Sequence, residues 1–128
     1  MTLDMAEDPG DQADIAVLAA SGLFDAAWFE ARNPDLKAAG VNPLVHFHRY
    51  GWREHRLPNA YFDTGWYLRY NRDVATAGLD PLLHCLEYGE AEGRRPIEHF
   101  DPEWYRAKYG VADGACCLAH FLRHRMAG

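Results

Sequence analysis

No apolar run approaches the roughly 18 residues that a membrane-spanning helix requires, so no bilayer span is expected. Cysteine is sparse. The three present, two of them adjacent at Cys116 and Cys117, do not make a disulfide framework, and a reducing compartment is the simpler expectation. Cations are outnumbered, 13 Lys and Arg against 19 Asp and Glu, for a formal net charge of -6. Nucleic acid and anionic membrane both select clustered Lys and Arg, so neither is an expected partner. The apolar stretch Ile15–Ala20 could pass for a secretory signal, but Asp4, Glu7, Asp8, Asp11 and Asp14 precede it and no Lys or Arg does. A signal peptide carries the opposite charge there, and the cytoplasm becomes the expected location. The sequence also has no Gly-rich phosphate loop, no Gly-x-Ser-x-Gly elbow and no His-Glu-x-x-His run. No segment alternates with the period of two that marks a half-buried strand, which leaves an all-α chain.

What is present is an internal period. Phe24-Asp25 returns as Phe62-Asp63 and Phe100-Asp101, 38 positions on each time, and Trp28-Phe29 returns as Trp66-Tyr67 and Trp104-Tyr105. Asn33-Pro34-Asp35-Leu36 matches Asn71-Arg72-Asp73-Val74, Gly40-Val41-Asn42-Pro43-Leu44 matches Gly78-Leu79-Asp80-Pro81-Leu82, and His46 matches His84. Tyr50-Gly51 matches Tyr88-Gly89, and Glu54 through Pro58 matches Glu92 through Pro96. The third copy is two residues shorter between Tyr109 and Cys117, which brings His120 into the position of His84. Repetition of this length is the signature of stacked helical units that cannot bury their apolar faces alone. The expected organisation is a disordered acidic tail over 1–12, a capping helix over 13–22 opened by Asp11 or Asp14 and closed by Gly22, repeats over 23–60 and 61–98, and a truncated repeat over 99–128.

The recurring residues are mostly helix punctuation. Asp25, Asp63 and Asp101 suit the N-cap, whose carboxylate accepts from first-turn amides that have no partner in the helix. Phe24, Phe62 and Phe100 stand five residues before Phe29, Tyr67 and Tyr105, the spacing of a hydrophobic staple. Asn33-Pro34 ends the first helix and caps a short second one, Gly40 and Gly78 take the left-handed position after it, and Asn42-Pro43 and Asp80-Pro81 start a third helix stopped by Gly51 and Gly89. Helices this short are marginal in water, so packing must hold them, and buried aromatic rings are the strongest means available.

Trp28, Trp66 and Trp104 are accordingly predicted to form the seam between units, with carbohydrate stacking as the alternative if they are exposed. Arg56 and Arg94 precede a proline that leads to the next cap, and each is predicted to bridge units by pairing with a carboxylate or with helix carbonyls. His46, His84 and His120 are expected to satisfy a backbone carbonyl or carboxylate within their own unit; stacked helices about 8 to 10 Å apart or more hold equivalent rings too far apart to share one zinc. Cys116 and Cys117 read as small apolar core residues. No catalytic residue, metal or cofactor is assigned.

Positions that differ between units, Trp52 against Glu90 and Arg53 against Ala91, suggest the solvent face. Trp52 is therefore the candidate exposed binding aromatic, with Arg49, Arg53 and His55 beside it.

These residues resemble a family of bacterial repeats with the pattern Phe-Asp-x-x-Trp/Tyr-Tyr-x-x-x-Asn-Pro-Asp-Val, then Gly-x-Asp-Pro-Leu-x-His-Tyr, then Gly-x-x-Glu-Gly-Arg-x-Pro. The match covers roughly residues 23 to 126. It departs from the pattern at His55 for Gly, at Arg72 for Pro and at Tyr109-Gly110-Val111 for Asn-Pro-Asp. Repeats of this kind lie in tandem beside glycosyltransferase domains of surface-polysaccharide systems and in some large secreted calcium-binding proteins. The truncated third repeat leaves an apolar end that needs covering, so the expected role is a non-catalytic interaction or scaffold module that meets a protein partner, or a second copy, through that end. The resemblance implies a setting beside glycosyltransferase or surface-polysaccharide machinery. The alternatives are a direct carbohydrate-binding module and a fragment of a glycosyltransferase; the latter is disfavoured because the repeats leave no room for a nucleotide-sugar domain.

Overall fold

A computed structural model describes residues 9–127, with side chains through residue 125, and it is all-helical among the described residues. The helices are α1 (Pro9–Ser21), α2 (Ala26–Arg32), α3 (Pro34–Ala39), α4 (Pro43–Arg49), α5 (Thr64–Tyr70), α6 (Arg72–Ala77), α7 (Pro81–His84), α8 (Pro102–Tyr109) and α9 (Cys117–Ala127). A 3-10 turn, Gly51–Glu54, follows α4, and a π turn, Cys85–Gly89, continues α7. Helix α1 starts at Pro9 with Asp11 already in its first turn, four residues before the expected boundary. The remainder of the predicted tail, residues 1–8, lies outside the described residues.

Local signals account for the helix starts. Asp25, Asp63 and Asp101 sit in nearly the same extended conformation, φ -97, -98 and -97, and each carboxylate accepts from an amide in the turn that follows. The staples close as well, with ring centroids 5.1 Å apart for Phe24 and Phe29, 5.3 Å for Phe62 and Tyr67, and 5.2 Å for Phe100 and Tyr105. Gly40 and Gly78 terminate α3 and α6 at φ 72 and 69, a region where a side chain would strain the backbone.

Two segments close on themselves through the backbone. The Asp25 amide donates to the Pro58 carbonyl at 3.0 Å, and the Asp63 amide to the Pro96 carbonyl at 3.1 Å. The same two segments carry a matching side-chain fastening. Asn33 donates to the Phe29 carbonyl at 2.7 Å, filling the last turn of α2, and accepts from Arg56 at 2.6 Å. Asn71 donates to the Tyr67 carbonyl at 2.8 Å and accepts from Arg94 at 3.0 Å. Each guanidinium then forks onto a carboxylate, Arg56 onto Asp35 and Arg94 onto Asp73, while its Nε reaches Glu54 or Glu92. Both arginines therefore fasten residues inside 23–60 or 61–98 and do not join those segments, contrary to expectation.

A core of buried side chains, including Leu18, Leu23, Phe29, Phe47, Phe62, Tyr67, Val74, Leu82 and Leu118, runs from α1 to α9. Trp28 and Trp66 are only half-buried and Trp104 is 57% exposed, so the tryptophan row is not the buried seam. The cause is helical phase. The staple turns the fourth helical residue (Phe29, Tyr67, Tyr105) inward, and the tryptophan one place earlier is rotated by about 100° toward the surface. Arg32 covers Trp28 at 4.9 Å and Tyr70 stacks on Trp66 at 4.4 Å.

Candidate functional site

A cleft of about 470 Å³ opens between α1, the end of α4 with its 3-10 turn, and the start of α7 with its π turn. Its floor is built around His48. The imidazole Nδ1 donates to Asp80 at 2.7 Å, and Nε2 lies 3.2 Å from Asp11 and 3.7 Å from Asp14. Asp80 is placed by the α7 N-terminus, where its other oxygen accepts from the Leu82 and Leu83 amides. Asp11 also accepts from Arg49 Nε at 2.7 Å. Burial alone pulls the His48 pKa down, but the Asp80 hydrogen bond and the charges of Asp80, Asp11 and Asp14 outweigh it, and the net shift is upward. The ring thus ties α1 to α7 through carboxylates on both of its nitrogens. It stands between the carboxylates, and no group of three or more metal-ligating side chains converges among the described residues.

The walls are aromatic. Tyr50 and Tyr88 are 52% and 58% exposed on the cleft, and Leu79 is exposed beside them. Their positions correspond across the 38-residue period, and each packs on the corresponding histidine, Tyr50 on His46 at 5.5 Å and Tyr88 on His84 at 5.9 Å.

Arg49, Trp52 and Arg53, predicted as binding residues, all line this cleft, but Trp52 is not the exposed aromatic expected. It is 5% exposed, donates from Nε1 to the His48 carbonyl at 2.8 Å, and lies beneath the Arg53 guanidinium at 4.3 Å. Glu90, 38 positions on, is 5% exposed as well, so the difference at this position marks a changed interior contact, whereas the other differing pair, Arg53 and Ala91, is exposed as expected. His55 stands outside the cleft, in the left-handed conformation at φ 59 with its ring against Gly65.

The histidines expected to bind carbonyls or carboxylates instead meet tyrosines. Tyr67 donates to His84 Nδ1 at 2.8 Å, and Tyr105 to His120 Nδ1 at 2.8 Å. Burial, with Arg94 for His84 and with His124 and Arg123 for His120, holds both imidazoles below their ordinary pKa, which suits an acceptor nitrogen. His46 has Phe29 where the others have tyrosine, and its Nδ1 is buried with no hydrogen-bond partner.

The cysteines are free thiols with unreactive surroundings. Cys85 and Cys117 are buried and Cys116 is half-buried. Burial, reinforced by the Glu90 charge, pushes Cys116 up to about 12 and Cys117 up to about 11, well away from an activated nucleophile.

Sequence reasoning missed His48 and gave Asp80 only its capping role. The available signal was that His48 stands where the second unit has Leu86, a polar residue at an apolar place in the period. No family model, no curated protein and no solved structure matches this chain. No helix among the described residues is long and apolar enough to cross a membrane.

Proposed function

We propose that the chain is a non-catalytic interaction module of tandem helical units with a period of 38 residues, acting in the cytoplasm beside glycosyltransferase or surface-polysaccharide machinery. The observation that carries this reading is the use made of the recurring polar residues. Asp25, Asp63 and Asp101 are occupied as helix caps, Asn33 and Asn71 as plugs, and Arg56 and Arg94 as clasps. These groups are committed to internal bonds, which leaves no constellation of acid, base and nucleophile among them. The exposed features of the cleft are Tyr50, Tyr88 and Leu79 with Arg53, Glu87 and Asp14 at the rim, a mixture of apolar and charged surface that suits a protein segment. The setting beside surface-polysaccharide enzymes rests on the sequence resemblance alone.

Affinity purification from the native cell tests the reading, comparing the full chain with a Tyr50→Ala, Tyr88→Ala double variant. Retention of a glycosyltransferase-class protein by the wild type and its loss in the double variant, at unchanged melting temperature, is the expected result. Equal retention by both, or sugar-donor turnover by the isolated chain, would overturn it.

The paired exposed tyrosines also favour a second reading, direct binding of a saccharide across Tyr50 and Tyr88. A glycan array answers this: saccharide binding abolished by Tyr88→Ala would replace the protein partner with a sugar.

A further inference from the structure

The buried Tyr–His pair occurs twice with the same geometry and different cover. Over Tyr67 and His84 lie Glu92, Arg94 and Asp73, the charged groups that act on His84. Glu92 and Arg94 belong to the segment returning from Gly89 to Pro96, and Asp73, on α6, receives that arginine together with Asn71. Among the described residues, the corresponding pair, Tyr105 and His120, has no such cluster. The charged or titratable neighbours acting on His120 are His124 and Arg123, and Arg123 acts on Tyr105 too.

The receptor is altered as well. The places of Asn71 and Asp73 are taken by Tyr109 and Val111. An arginine arriving there would find a phenol and an isopropyl group in place of an amide and a carboxylate. The result is a groove of about 480 Å³ between α8 and α9, walled by Trp104, Tyr105, Tyr109 and Phe121 and edged by Arg125. Trp104 and Tyr109 are 57% and 55% exposed, and Lys108 lies 5.8 Å from the centre of the Trp104 ring.

We infer that this groove between α8 and α9 docks an acidic, apolar segment of a partner protein, its large side chain on Trp104 and Tyr109 and its carboxylate toward Arg125 at the groove's edge. Charge complementarity selects this occupant. Arg125 at the edge and Lys108 over Trp104 repel a basic segment, and a second copy joined through the same face would oppose cation to cation. The aromatic walls supply the apolar anchor that dominates binding in such grooves. The groove lies apart from the cleft around His48, so the two sites can be tested separately.

The test is selection from a random peptide display library on the full chain, followed by affinity measurement with the enriched peptides. Enriched sequences should place Asp or Glu next to Leu, Phe or Trp. Trp104→Ala and Arg125→Glu should each weaken binding by at least about tenfold, which corresponds to about 1.4 kcal/mol. Both side chains project from helix surfaces, and circular dichroism verifies that the variants remain folded. A peptide with its acids exchanged for Lys should recover binding to Arg125→Glu. No enrichment, enrichment of basic or uncharged peptides, or affinity indifferent to Arg125→Glu would overturn the inference.

Discussion

The Glu90 carboxylate caps a helix that begins 27 residues later, accepting from the Cys117 amide at 2.6 Å and the Leu118 amide at 2.9 Å. The preceding helices of this kind start at Asn42-Pro43 and Asp80-Pro81, with their own side-chain caps. Helix α9 has Cys116-Cys117 at those places, and Glu90 supplies from the second segment the acceptor that its own sequence lacks. Replacing a buried charge-assisted pair of bonds costs roughly 1.5 to 3 kcal/mol for each bond, with some loss shared between them. Glu90→Ala should therefore destabilise the protein by about 3 kcal/mol in urea unfolding; a change below about 1 kcal/mol would mean that water or Cys116 caps the helix as well.

His46 offers the converse experiment. Its Nδ1 is orphaned because Phe29 stands in the place of Tyr67 and Tyr105. Phe29→Tyr places a donor there and should stabilise the chain by about 1 kcal/mol. Tyr67→Phe, which creates the same orphan at His84, should destabilise it by about 1 to 2 kcal/mol. Opposite signs in chemical denaturation test the pairing; a destabilising Phe29→Tyr would show that the site around His46 has no room for the hydroxyl.

Glycines 51 and 89 correspond in the period but carry different constraints. A Cβ at Gly89 would overlap the Tyr67 hydroxyl, whereas one at Gly51 would meet His46, Phe47 and Arg56 at ordinary contact distances of 3.5 to 3.6 Å. Gly89→Ala should cost about 2 kcal/mol more than Gly51→Ala, and Tyr67→Phe in the same chain should recover part of it. Similar melting temperatures for the two alanine variants would contradict this arrangement.

Acid and base limbs of stability have separate origins. The Arg94 hydrogen bonds hold the Asp73 carboxyl at about 2, below its ordinary 3.8, so its contribution is present above pH 3.8 and is lost as pH falls through about 2. His48 is shifted the other way, so its contribution is complete below pH 6.5 and is lost as pH rises through its elevated folded pKa. Nuclear magnetic resonance titration should find a low Asp73 midpoint that returns toward 3.8 in Arg94→Gln, and a His48 midpoint above 6.5 that falls in Asp80→Asn. An unmoved midpoint in either variant would remove the assigned partner.

What the sequence made legible was whatever is settled within a few residues. The caps at Asp25, Asp63 and Asp101, the phenylalanine staples and the left-handed Gly40 and Gly78 all depend on i to i+5 relationships, which spacing reveals directly. The His48 tie and the long-range cap depend on which helices meet in space. His48 and Asp80 are 32 residues apart, and nothing local to either residue identifies the other. The same limit hid the partners of Arg56 and Arg94, whose fork onto a carboxylate was foreseeable but whose closure within a segment was not. Trp52 was misread because a difference between units looks alike whether its cause is solvent or a changed interior neighbour. The tryptophan row was misread because period alone identifies a recurring position and not the direction in which it faces.

Mutual dependence of the segments is most directly measured by native-state hydrogen exchange on the full chain and on Glu90→Ala. Removing that one carboxylate should lower protection together in α2, α5 and α9, as in a single cooperative body. Loss confined to α9, with amides of α2 and α5 as slow as before, would show that the helices stand independently and would contradict a shared interior.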